Sequence, residues 1–556
     1  MDNVLPSPGH WTKPKARWLK QEAEETSYEK YISSPTKVYR YNLKLGPTGS
    51  RTQVAGFKVQ SANHYTIEPM AKIFGSSIEG KRDEGWEKSD GFCDSCDVSG
   101  GGFAAICSQL SSLQVSISTF TSSSRRRDDG GSVSAAVMEL CICGGSGVCR
   151  NEEKQALLCF KNESKVPTNW VDTTDCCSEW DGVVCDNVTG HVVELRPVAN
   201  NLGAIDNWLE VIDMLPSVRE LYLRGCGLSN LSHPLHNSSS LQVLDLSGNR
   251  FNSVIPRWMF NLNNLVSLDL SQCGFLGSFP NGPWNLTYLS SLDLSLNEMN
   301  GSLPNQLFGL SYMKSLKLCC NQFHGPLPND RWNLTSLEVL DVSSNYLNSH
   351  IPDSIYHCPN LKVLRLRGNN LQGIISKSIS NLTYLSTLVI SSNMLTGEIP
   401  KEIGKLKNLN VFLFSSNKFY GPLPESIGYL SSLTTLSFLN NKLEGIVTEN
   451  HFVNLTMLTE FYASGNRLTL KVRPNWMPPF QLYALALSGW NLGPQFPIWL
   501  QSQHQIVQLE ISNAEIEGEI PKWFWNFSSV LEAIDLSFNQ LQVKFRTSQF
   551  VYLKEV

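Results

Sequence analysis

The feature that most constrains the fold is a self-similar pattern that begins near residue 215 and continues through the rest of the chain. The pattern reads LxxLxLxxN, and successive copies lie 23 to 25 residues apart, most of them 24. Such a period is typical of solenoids, in which one unit is too small to bury its own apolar side chains and stacks on its neighbours. The middle leucine, or the residue in its place, falls at Leu221, Leu244, Leu268, Leu292, Leu316, Leu340, Leu364, Leu388, Phe412, Leu436, Phe461, Leu485, Leu509 and Ile534.

The alternation inside one unit predicts a short strand. In the unit around residues 241–246 we expect Leu244 and Leu246 to point inward. Val243 and Asp245 then point to solvent, because successive side chains of a strand face opposite sides. The second half of the unit reads LxGxIP, and its glycine and proline favour a turn and an extended segment rather than a central strand. The sequence therefore predicts an α/β repeat solenoid, curved, with parallel strands on the concave face.

An asparagine follows the middle leucine by five residues in most units. A buried amide can bond the backbone of neighbouring turns, so stacked copies should form a ladder. Cys226 and Cys273 take this place in two units and are acceptable substitutes, whereas Trp490 and Ala514 predict local irregularity. The ladder positions are Asn249, Asn297, Asn321, Asn345, Asn369, Asn393, Asn417, Asn441, Asn466 and Asn539.

Residues 1–148 show neither the repeat nor an assignable role. The N-terminus has no apolar segment of the kind that a secretory signal contains, and no stretch of the chain approaches the about 20 apolar residues of a membrane helix. The spacing of the five cysteines in this segment does not match a common zinc finger. We expect residues 1–148 to be disordered or an artefact of the gene model, and the repeat array to be incomplete at its C-terminal end.

Composition and charge exclude several classes of function. With 41% hydrophobic and 17% charged residues, the chain is neither wholly disordered nor a polytopic membrane protein. A formal net charge of −5 gives no basic footprint for nucleic acid. Four histidines at unrelated phases of the sequence show no spacing that would pair a nucleophile with a base, so we expect no enzyme, no cofactor and no metal; they are His191, His236, His324 and His357.

Two stretches of sequence carry a family resemblance. Residues 149–195 contain CRNEEKQALLCFKNES and DCCSEWDGVVCDNVTGHVVEL, and the repeat itself has the GxIP form. Together these resemble the plant extracellular leucine-rich repeat proteins, over residues 149–556. The stretch from MPPFQLYALALSGWNLG to EGEIPKWFW resembles receptor-like proteins of the ethylene-inducing-xylanase receptor type. The resemblance implies a leucine-rich repeat horseshoe, with a cap over residues 149–195 and an array of about 14 units over residues 196–556.

A cap has a physical reason, because the first repeat would otherwise expose an apolar end. The segment Glu152–Phe160 predicts an amphipathic helix that covers this end, with Cys159 buried in it rather than bridged. The family pattern implies disulfides from Cys149 to Cys176 and from Cys177 to Cys185, which need an oxidising compartment. The alternative is that these four cysteines are free thiols in a cap packed by Trp180.

Ten N-x-S/T sequons lie in residues 149–556 and none in residues 1–148. Four of them read Asn-Leu-Thr at one phase of the repeat, on the side away from the strands, so sugars there would leave the concave face clear. The alternative is that Asn-Leu-Thr is repeat consensus with a core leucine, and both can hold. The candidate N-glycosylation sites are Asn162, Asn187, Asn230, Asn237, Asn285, Asn300, Asn333, Asn381, Asn454 and Asn526.

Outward strand positions on the concave face should form a two-dimensional array suited to an extended ligand. A column of aspartates, which includes Asp245 and Asp341, is best explained as repeat consensus that keeps the strands wet. Positions that depart from consensus are the candidates for binding a peptide or protein ligand, since Arg and Tyr are enriched in binding hot spots. The basic ones would suit an acidic peptide or a carboxylate terminus. The candidates are Tyr222, Arg224, Lys317, Arg365, Arg367, Tyr462 and Glu510.

The resemblance implies the ectodomain of a plant cell-surface receptor-like protein in defence or development. Such a protein would act at the extracellular face of the plasma membrane, through partner receptor kinases, with membrane attachment in the full-length protein. Two alternatives stay open: a secreted leucine-rich repeat inhibitor of microbial cell-wall hydrolases, and the ectodomain of a receptor kinase. No kinase signature occurs in this sequence.

Overall fold

The computed structural model describes residues 148–164, 169–197, 208–236, 239–527 and 531–542. The predictions made for residues 1–147, including those for the five cysteines there, lie outside these ranges. Two α-helices occur in the described part, α1 (Asn151–Ser164) and α2 (Trp208–Asp213). Neither is long and apolar enough to cross a bilayer.

Short strands make up most of the regular structure. In chain order they are β1 (Val183–Cys185), β2 (Val192–Leu195), β3 (Glu220–Tyr222), β4 (Val243–Asp245), β5 (Ser267–Asp269), β6 (Leu276–Gly277), β7 (Ser291–Asp293), β8 (Glu298–Gly301), β9 (Ser315–Lys317), β10 (Gln322–Pro326), β11 (Val339–Asp341), β12 (Tyr346–His350), β13 (Val363–Arg365), β14 (Asn370–Gly373), β15 (Thr387–Val389), β16 (Met394–Gly397), β17 (Val411–Leu413), β18 (Lys418–Gly421), β19 (Thr435–Ser437), β20 (Lys442–Val447), β21 (Glu460–Tyr462), β22 (Arg467–Leu470), β23 (Ala484–Ala486), β24 (Gln508–Glu510), β25 (Glu517–Glu519), β26 (Ala533–Asp535) and β27 (Gln540–Gln542).

One sheet of sixteen strands joins the cap to the whole described array. Its order is β1-β2-β3-β4-β5-β7-β9-β11-β13-β15-β17-β19-β21-β23-β24-β26. Only β1 and β2 are antiparallel, and every later pair is parallel. The middle leucines stand opposite one another in register, for example Leu316 opposite Leu340 and Leu340 opposite Leu364. The leucine-rich repeat solenoid with a parallel sheet is thus confirmed.

A second sheet, of nine strands, is formed by the part of each unit that follows the ladder position. It runs from β6 to β22 in the order β22-β20-β18-β16-β14-β12-β10-β8-β6. The sequence predicts only an extended segment here. The glycine of LxGxIP ends several of these strands with a positive φ, +83° at Gly301 and +87° at Gly397, which a residue without Cβ adopts freely.

Short 3-10 helices precede many of the strands of the sixteen-stranded sheet in chain order. Most follow the repeat proline, whose extended backbone (φ −68°, ψ 134° at Pro400) precedes the first helical residue. Their bounds are Arg257–Asn261, Asn305–Gly309, Asp353–His357, Lys377–Asn381, Lys401–Lys405, Glu425–Tyr429, Glu449–Phe452, Ile498–Ser502 and Lys522–Phe527.

The asparagine ladder forms as predicted. The Asn345 carbonyl accepts the N–H of Phe323 at 3.0 Å, and its amide donates to the carbonyl oxygens of Leu318 at 3.0 Å and Val342 at 3.1 Å. All ten asparagines accept at least one backbone N–H and donate at least two bonds in this way. Of the two cysteine substitutes, the Cys273 thiol donates to the Leu246 carbonyl at 3.0 Å. Each unit is therefore tied to its neighbour through buried polar atoms.

The irregularity predicted at Trp490 and Ala514 affects the second sheet and spares the first. The first sheet passes through β23 and β24 in register. The second sheet ends at β22, with only an isolated bridge from Thr469 to Asn491 beyond it, and β25 pairs with β27 in a separate two-stranded sheet. The indole of Trp490 fills the ladder place, and its Nε1–H donates to the Ala463 carbonyl at 2.9 Å.

The cap closes the apolar end of the first repeat. Helix α1 buries Ala156, Leu157 and Phe160. Trp170 stacks on Trp180 with ring centroids 5.3 Å apart. Both disulfides implied by the resemblance are formed, and Cys159 is half-buried outside them.

A buried carboxylate ties helix α1 to strand β2. Glu153, only 3% exposed, accepts the N–H of Val192 at 2.7 Å and lies 2.7 Å from Nδ1 of His191. Because a buried carboxylate is costly unless its oxygens are bonded, these contacts fix the helix against the sheet.

Removing the disulfide between Cys177 and Cys185 with alanine at both positions should destabilise the cap by about 2–3 kcal/mol, because the unfolded chain regains the entropy of that loop. Hydrogen exchange of the β1–β2 pair, followed by mass spectrometry, should quicken accordingly. In a Cys149→Ala/Cys176→Ala background, where Cys177–Cys185 is the remaining cap disulfide, a reductant should produce the same change, and it should produce none once Cys177 and Cys185 are alanine as well. Equal exchange in the wild type and the variant would contradict a stabilising role.

Candidate ligand-binding face

The solvent side of the sixteen-stranded sheet is the predicted concave face, and we call it the strand face. Its central column consists of the residue that follows each middle leucine. From β3 onward the column reads Tyr222, Asp245, Asp269, Asp293, Lys317, Asp341, Arg365, Val389, Leu413, Ser437, Tyr462, Ala486, Glu510 and Asp535, with each residue directly opposite the next.

The acidic part of the column serves the fold first. The Asp245 carboxylate accepts the N–H and the hydroxyl of Ser247 at 2.9 and 2.6 Å, and Asp269 makes the same bonds to Ser271 at 2.9 and 2.7 Å. Burial, together with the neighbouring carboxylates of Asp293 and Asp245, raises the pKa of Asp269. These bonds support the interpretation of the aspartates as consensus chemistry of the turn.

A basic group follows the acidic part. The Lys317 ammonium lies 3.4 Å from the Asp293 carboxylate and is 49% exposed. Lys317 is therefore the first basic residue in the column after Asp245, Asp269 and Asp293. Arg365 stands two strands further on, with Asp341 between them in register. Arg367 lies two residues after Arg365, and both side chains are half-buried. The sheet thus brings together the three basic residues that the sequence singled out.

An apolar stretch follows the basic group, and sequence reasoning missed it. Val389 is buried and Leu413 half-buried, and they occupy the column next to Arg365. Leu439 lies near the same stretch, two residues after Ser437. The signal was present in the sequence, because the aspartate of the Leu-Asp-Leu-Ser consensus is replaced by valine in Leu-Val-Ile-Ser and by leucine in Phe-Leu-Phe-Ser.

Of the two candidates near the N-terminal end of the array, Tyr222 is in contact with other side chains of the protein. The Tyr222 hydroxyl donates to Glu220 at 2.9 Å, and the guanidinium of Arg196 lies 4.0 Å above the ring. Burial and the Glu220 contact raise the pKa of Tyr222. Arg224 is exposed in the same unit. Because Arg196 covers one face of the ring, a ligand could contact Tyr222 mainly at the ring edge. Tyr222 also lies four strands away from Lys317, the first residue of the basic group.

Tyr462 and Glu510 flank the small side chain of Ala486, two strands apart. Burial, and then the carboxylates of Glu460 and Glu510, raise the pKa of Tyr462. Glu510 accepts a hydrogen bond from the Gln508 amide at 2.7 Å. The phenol is thus kept neutral beside two carboxylates, at the far end of the apolar stretch from Arg365.

The Asn-Leu-Thr sequons lie off the strand face. The asparagines of the four are exposed, and the leucines that follow them are buried, as Asn333 and Leu334 illustrate. Both interpretations of the motif are therefore compatible with the fold. Asn187 is exposed in the cap, Asn300 is exposed on β8, and Asn230 is half-buried. The side chains of the remaining three candidates lie outside the described residues.

The described ranges contain one group of side chains spaced closely enough to hold a metal ion, and it consists of the four cap cysteines. Their sulfurs are bonded in pairs, so they are not ligands. The chemistry that the strand face offers is recognition through charge, apolar contact and hydrogen bonds.

Family models match three parts of the chain. Residues 150–186 match the leucine rich repeat N-terminal domain, residues 216–275 the leucine rich repeat, and residues 297–487 the leucine-rich repeat region. With the sheet, the ladder and the cap, these matches define the class: the chain is a leucine-rich repeat protein with the cysteine cap.

The chain is also similar to curated plant receptor-like proteins. The chain is 45% identical over 95 residues to Receptor-like protein EIX1 and 41% identical over 109 residues to Receptor-like protein EIX2, both of Solanum lycopersicum. These matches cover 17% and 20% of this chain and 9% and 10% of the relatives, so the matched part spans about a tenth of their length. The chain is thus similar to plant leucine-rich repeat receptor-like proteins.

Solved structures agree on the fold. The plant peptide hormone receptor RGFR1, in complex with RGF2, is 27% identical, with a TM-score of 0.53 over 62% of this chain and 60% of that one. The PEPR1–AtPEP1 structure has the same TM-score at 22% identity, over 70% of this chain and 66% of that one, and shows the fold alone.

Proposed function

We propose that the strand face binds a peptide or protein ligand, and that the chain is the ligand-binding ectodomain of a plant cell-surface receptor-like protein. The similarity to EIX1 and EIX2 supports this kind of protein, and the similarity to a peptide hormone receptor solved with its peptide supports a peptide ligand. The ectodomain acts in defence or developmental signalling, through partner receptor kinases.

The observation that carries the proposal is the succession of charge and apolar surface along the central column. Arg365 and Arg367 are partly exposed at the start of the apolar stretch that Val389 and Leu413 form. In the described part of the chain, no carboxylate lies within ion-pair distance of the Arg365 guanidinium. Arginine binds carboxylates in a bidentate manner, so we propose that this group receives the carboxylate terminus or an acidic side chain of the ligand, and that the apolar stretch receives an adjoining apolar residue.

The cap supports a proposal for the compartment. Two disulfides need an oxidising environment, and exposed sequon asparagines away from the strand face are compatible with glycosylation there. We propose that the chain works on the extracellular face of the plasma membrane, and that the full-length protein is attached to that membrane.

Replacing Arg365 and Arg367 with alanine should weaken binding of a carboxylate-bearing peptide by about tenfold or more, since a charge-assisted hydrogen bond contributes about 1.5–3 kcal/mol. The chain is produced in a secreting host and screened against an array of synthetic peptides with free carboxyl termini. The strongest binder is then titrated by fluorescence anisotropy against the wild type and the variant. Amidation of the peptide terminus should cause a similar loss.

Lys418→Ala/Lys442→Ala is the matched control, because both lysines are exposed on β18 and β20 of the second sheet. It also removes two positive charges, so a general electrostatic effect would appear in it equally. A binder whose affinity is unchanged by removal of both arginines would refute their assigned role. If both double variants lost the same affinity for the peptide, the effect would come from the change in net charge alone.

A further inference from the structure

A cleft of about 380 Å³ lies at the end of the sixteen-stranded sheet where its strands begin. Four of its lining residues each directly precede one strand of that sheet, β4, β5, β7 or β9. The volume falls within the range of about 300–1,000 Å³ that is usual for small-molecule sites. We call it the tyrosine cleft, and the residues that matter in it are Gln242, Asn264, Tyr288, Ser290, Tyr312 and Lys314.

Two exposed aromatic rings lie side by side in the cleft. Tyr288 and Tyr312 occupy the same position in consecutive units, and their ring centroids are 5.9 Å apart. Tyr288 is 52% exposed and Tyr312 is 54% exposed, so both rings present much of their surface to solvent. The cleft therefore offers a ligand a continuous aromatic surface.

The fold itself does not require tyrosine at this position. Other units have an asparagine here, and its amide donates to a backbone carbonyl of the preceding unit. Asn360 donates to Thr335 at 2.9 Å, and Asn408 donates to Thr383 at 2.8 Å. The two tyrosines replace this bond between units with an exposed ring, which stabilises the array less than the amide does.

The cleft also contains polar side chains that are available to a ligand. Gln242, Ser290 and Lys314 line it, and among the residues that the structure describes their side chains make no hydrogen bond and no ion pair. They supply an amide, a hydroxyl and an ammonium group, and thus both donors and acceptors. An aromatic surface with a few unpaired polar groups beside it is the usual composition of a small-molecule site.

We propose that the tyrosine cleft binds a neutral pyranose unit of an oligosaccharide. The face of a tyrosine ring carries partial negative charge, and one face of a pyranose presents C–H groups with partial positive charge, so the sugar stacks on the rings. Sugar hydroxyls both donate and accept hydrogen bonds, as do the amide of Gln242 and the hydroxyl of Ser290. The Lys314 ammonium donates to a further hydroxyl.

The charges around the cleft favour a neutral sugar over a charged one. The Lys314 ammonium repels a cationic ligand. It also has a carboxylate neighbour already, because Lys362 and, to a smaller extent, Lys314 lower the pKa of Glu338 in the next unit. The acidic residues Asp269 and Asp293 lie in strands that begin at the cleft, so an anionic sugar gains little there.

Titration with neutral tetrasaccharides tests the site. The full chain is produced in a secreting host and titrated by calorimetry with cellotetraose, mannotetraose and chitotetraose. At least one of them should bind saturably, with one sugar per chain. Tyr288→Ala/Tyr312→Ala should weaken this binding by at least about tenfold, because the stacking surface is lost. If none of the three sugars binds the wild type, the proposal is overturned.

Tyr346→Ala/Tyr384→Ala is the matched control. These two tyrosines are 59% and 58% exposed and lie outside the cleft, so their removal should leave the affinity for the sugar unchanged. Equal losses in the two double variants would overturn the site. Arg365→Ala/Arg367→Ala should also bind the sugar like the wild type, since β13 lies two strands from β9, so this cleft and the peptide site fail or succeed independently.

Two other occupants are separated by further titrations. Asn285 is an exposed sequon residue three positions before Tyr288, and a glycan attached to it could reach the rings. Binding that appeared in Asn285→Gln but not in the wild type would make this attached glycan the occupant and overturn binding of a free oligosaccharide. Tetragalacturonate that bound more tightly than every neutral sugar, with the preference lost in Lys314→Gln, would overturn the assignment of a neutral ligand.

Discussion

Replacing Trp490 with alanine should lower the free energy of unfolding by about 4–6 kcal/mol, the largest effect that we expect from a single substitution in the array. The indole is 1% exposed and packs against the rings of Phe438 and Phe461, with centroids 6.3 and 6.1 Å away. Truncation of such a tryptophan costs about 3–5 kcal/mol, and the Ala463 carbonyl would also lose its donor in the interior. Guanidinium titration followed by circular dichroism measures the loss.

The loss should be local, because each unit of a solenoid contacts only its neighbours. Hydrogen exchange should therefore rise in β21, β23 and β24 and stay unchanged in the cap. Trp525→Ala is the control: that side chain is 43% exposed, and we expect a change below about 1 kcal/mol. The loss of unfolding free energy in Trp490→Asn should lie between those of Trp490→Ala and Trp525→Ala, because asparagine restores an amide at the ladder position but does not fill the volume of the indole. If Trp490→Ala and Trp525→Ala lowered the free energy of unfolding by the same amount, the buried indole of Trp490 would have no special stabilising role.

The repeat pattern was sufficient to predict the first sheet and the ladder. The sheet and the ladder each depend on one residue type that recurs at a fixed position of the repeat. The pairing of Leu340 with Leu364 therefore follows from the period of the repeat alone. The same holds for the bond between Asn345 and the preceding unit. The cap was predicted by resemblance, and its disulfides were implied by the spacing of cysteines in that family.

The remaining features depend on contacts between side chains of different units, which a consensus does not encode. The second sheet arises because β10, β12 and β14 lie side by side once the first sheet has stacked their units. Tyr222 was predicted as a binding residue on its type, yet Arg196 from the preceding turn lies over its ring.

Replacing Asn345, which makes the bonds that the other ladder asparagines also make, should have a large effect for a polar residue of the array. Asn345→Ala removes one acceptor and the donors to the Leu318 and Val342 carbonyls, and leaves the Phe323 N–H without its partner. Buried polar groups without partners cost about 1–3 kcal/mol each, so we expect a loss of about 3–5 kcal/mol in guanidinium titration. The loss should appear as faster hydrogen exchange in β9 to β13.

Asn345→Cys distinguishes loss of the ladder bonds from loss of the side chain as such. In the native array the Cys273 thiol occupies the same place and still donates to a carbonyl at 3.0 Å, so a cysteine at 345 should recover part of the stability that alanine loses. Asn348→Ala, at an exposed position on β12, should change it by less than about 0.5 kcal/mol. If alanine and cysteine at position 345 were equally destabilising, the cost would come from packing rather than from hydrogen bonds. If neither exceeded the Asn348 control, the ladder would not be what ties one unit to the next, and the stacked leucines alone would hold the array.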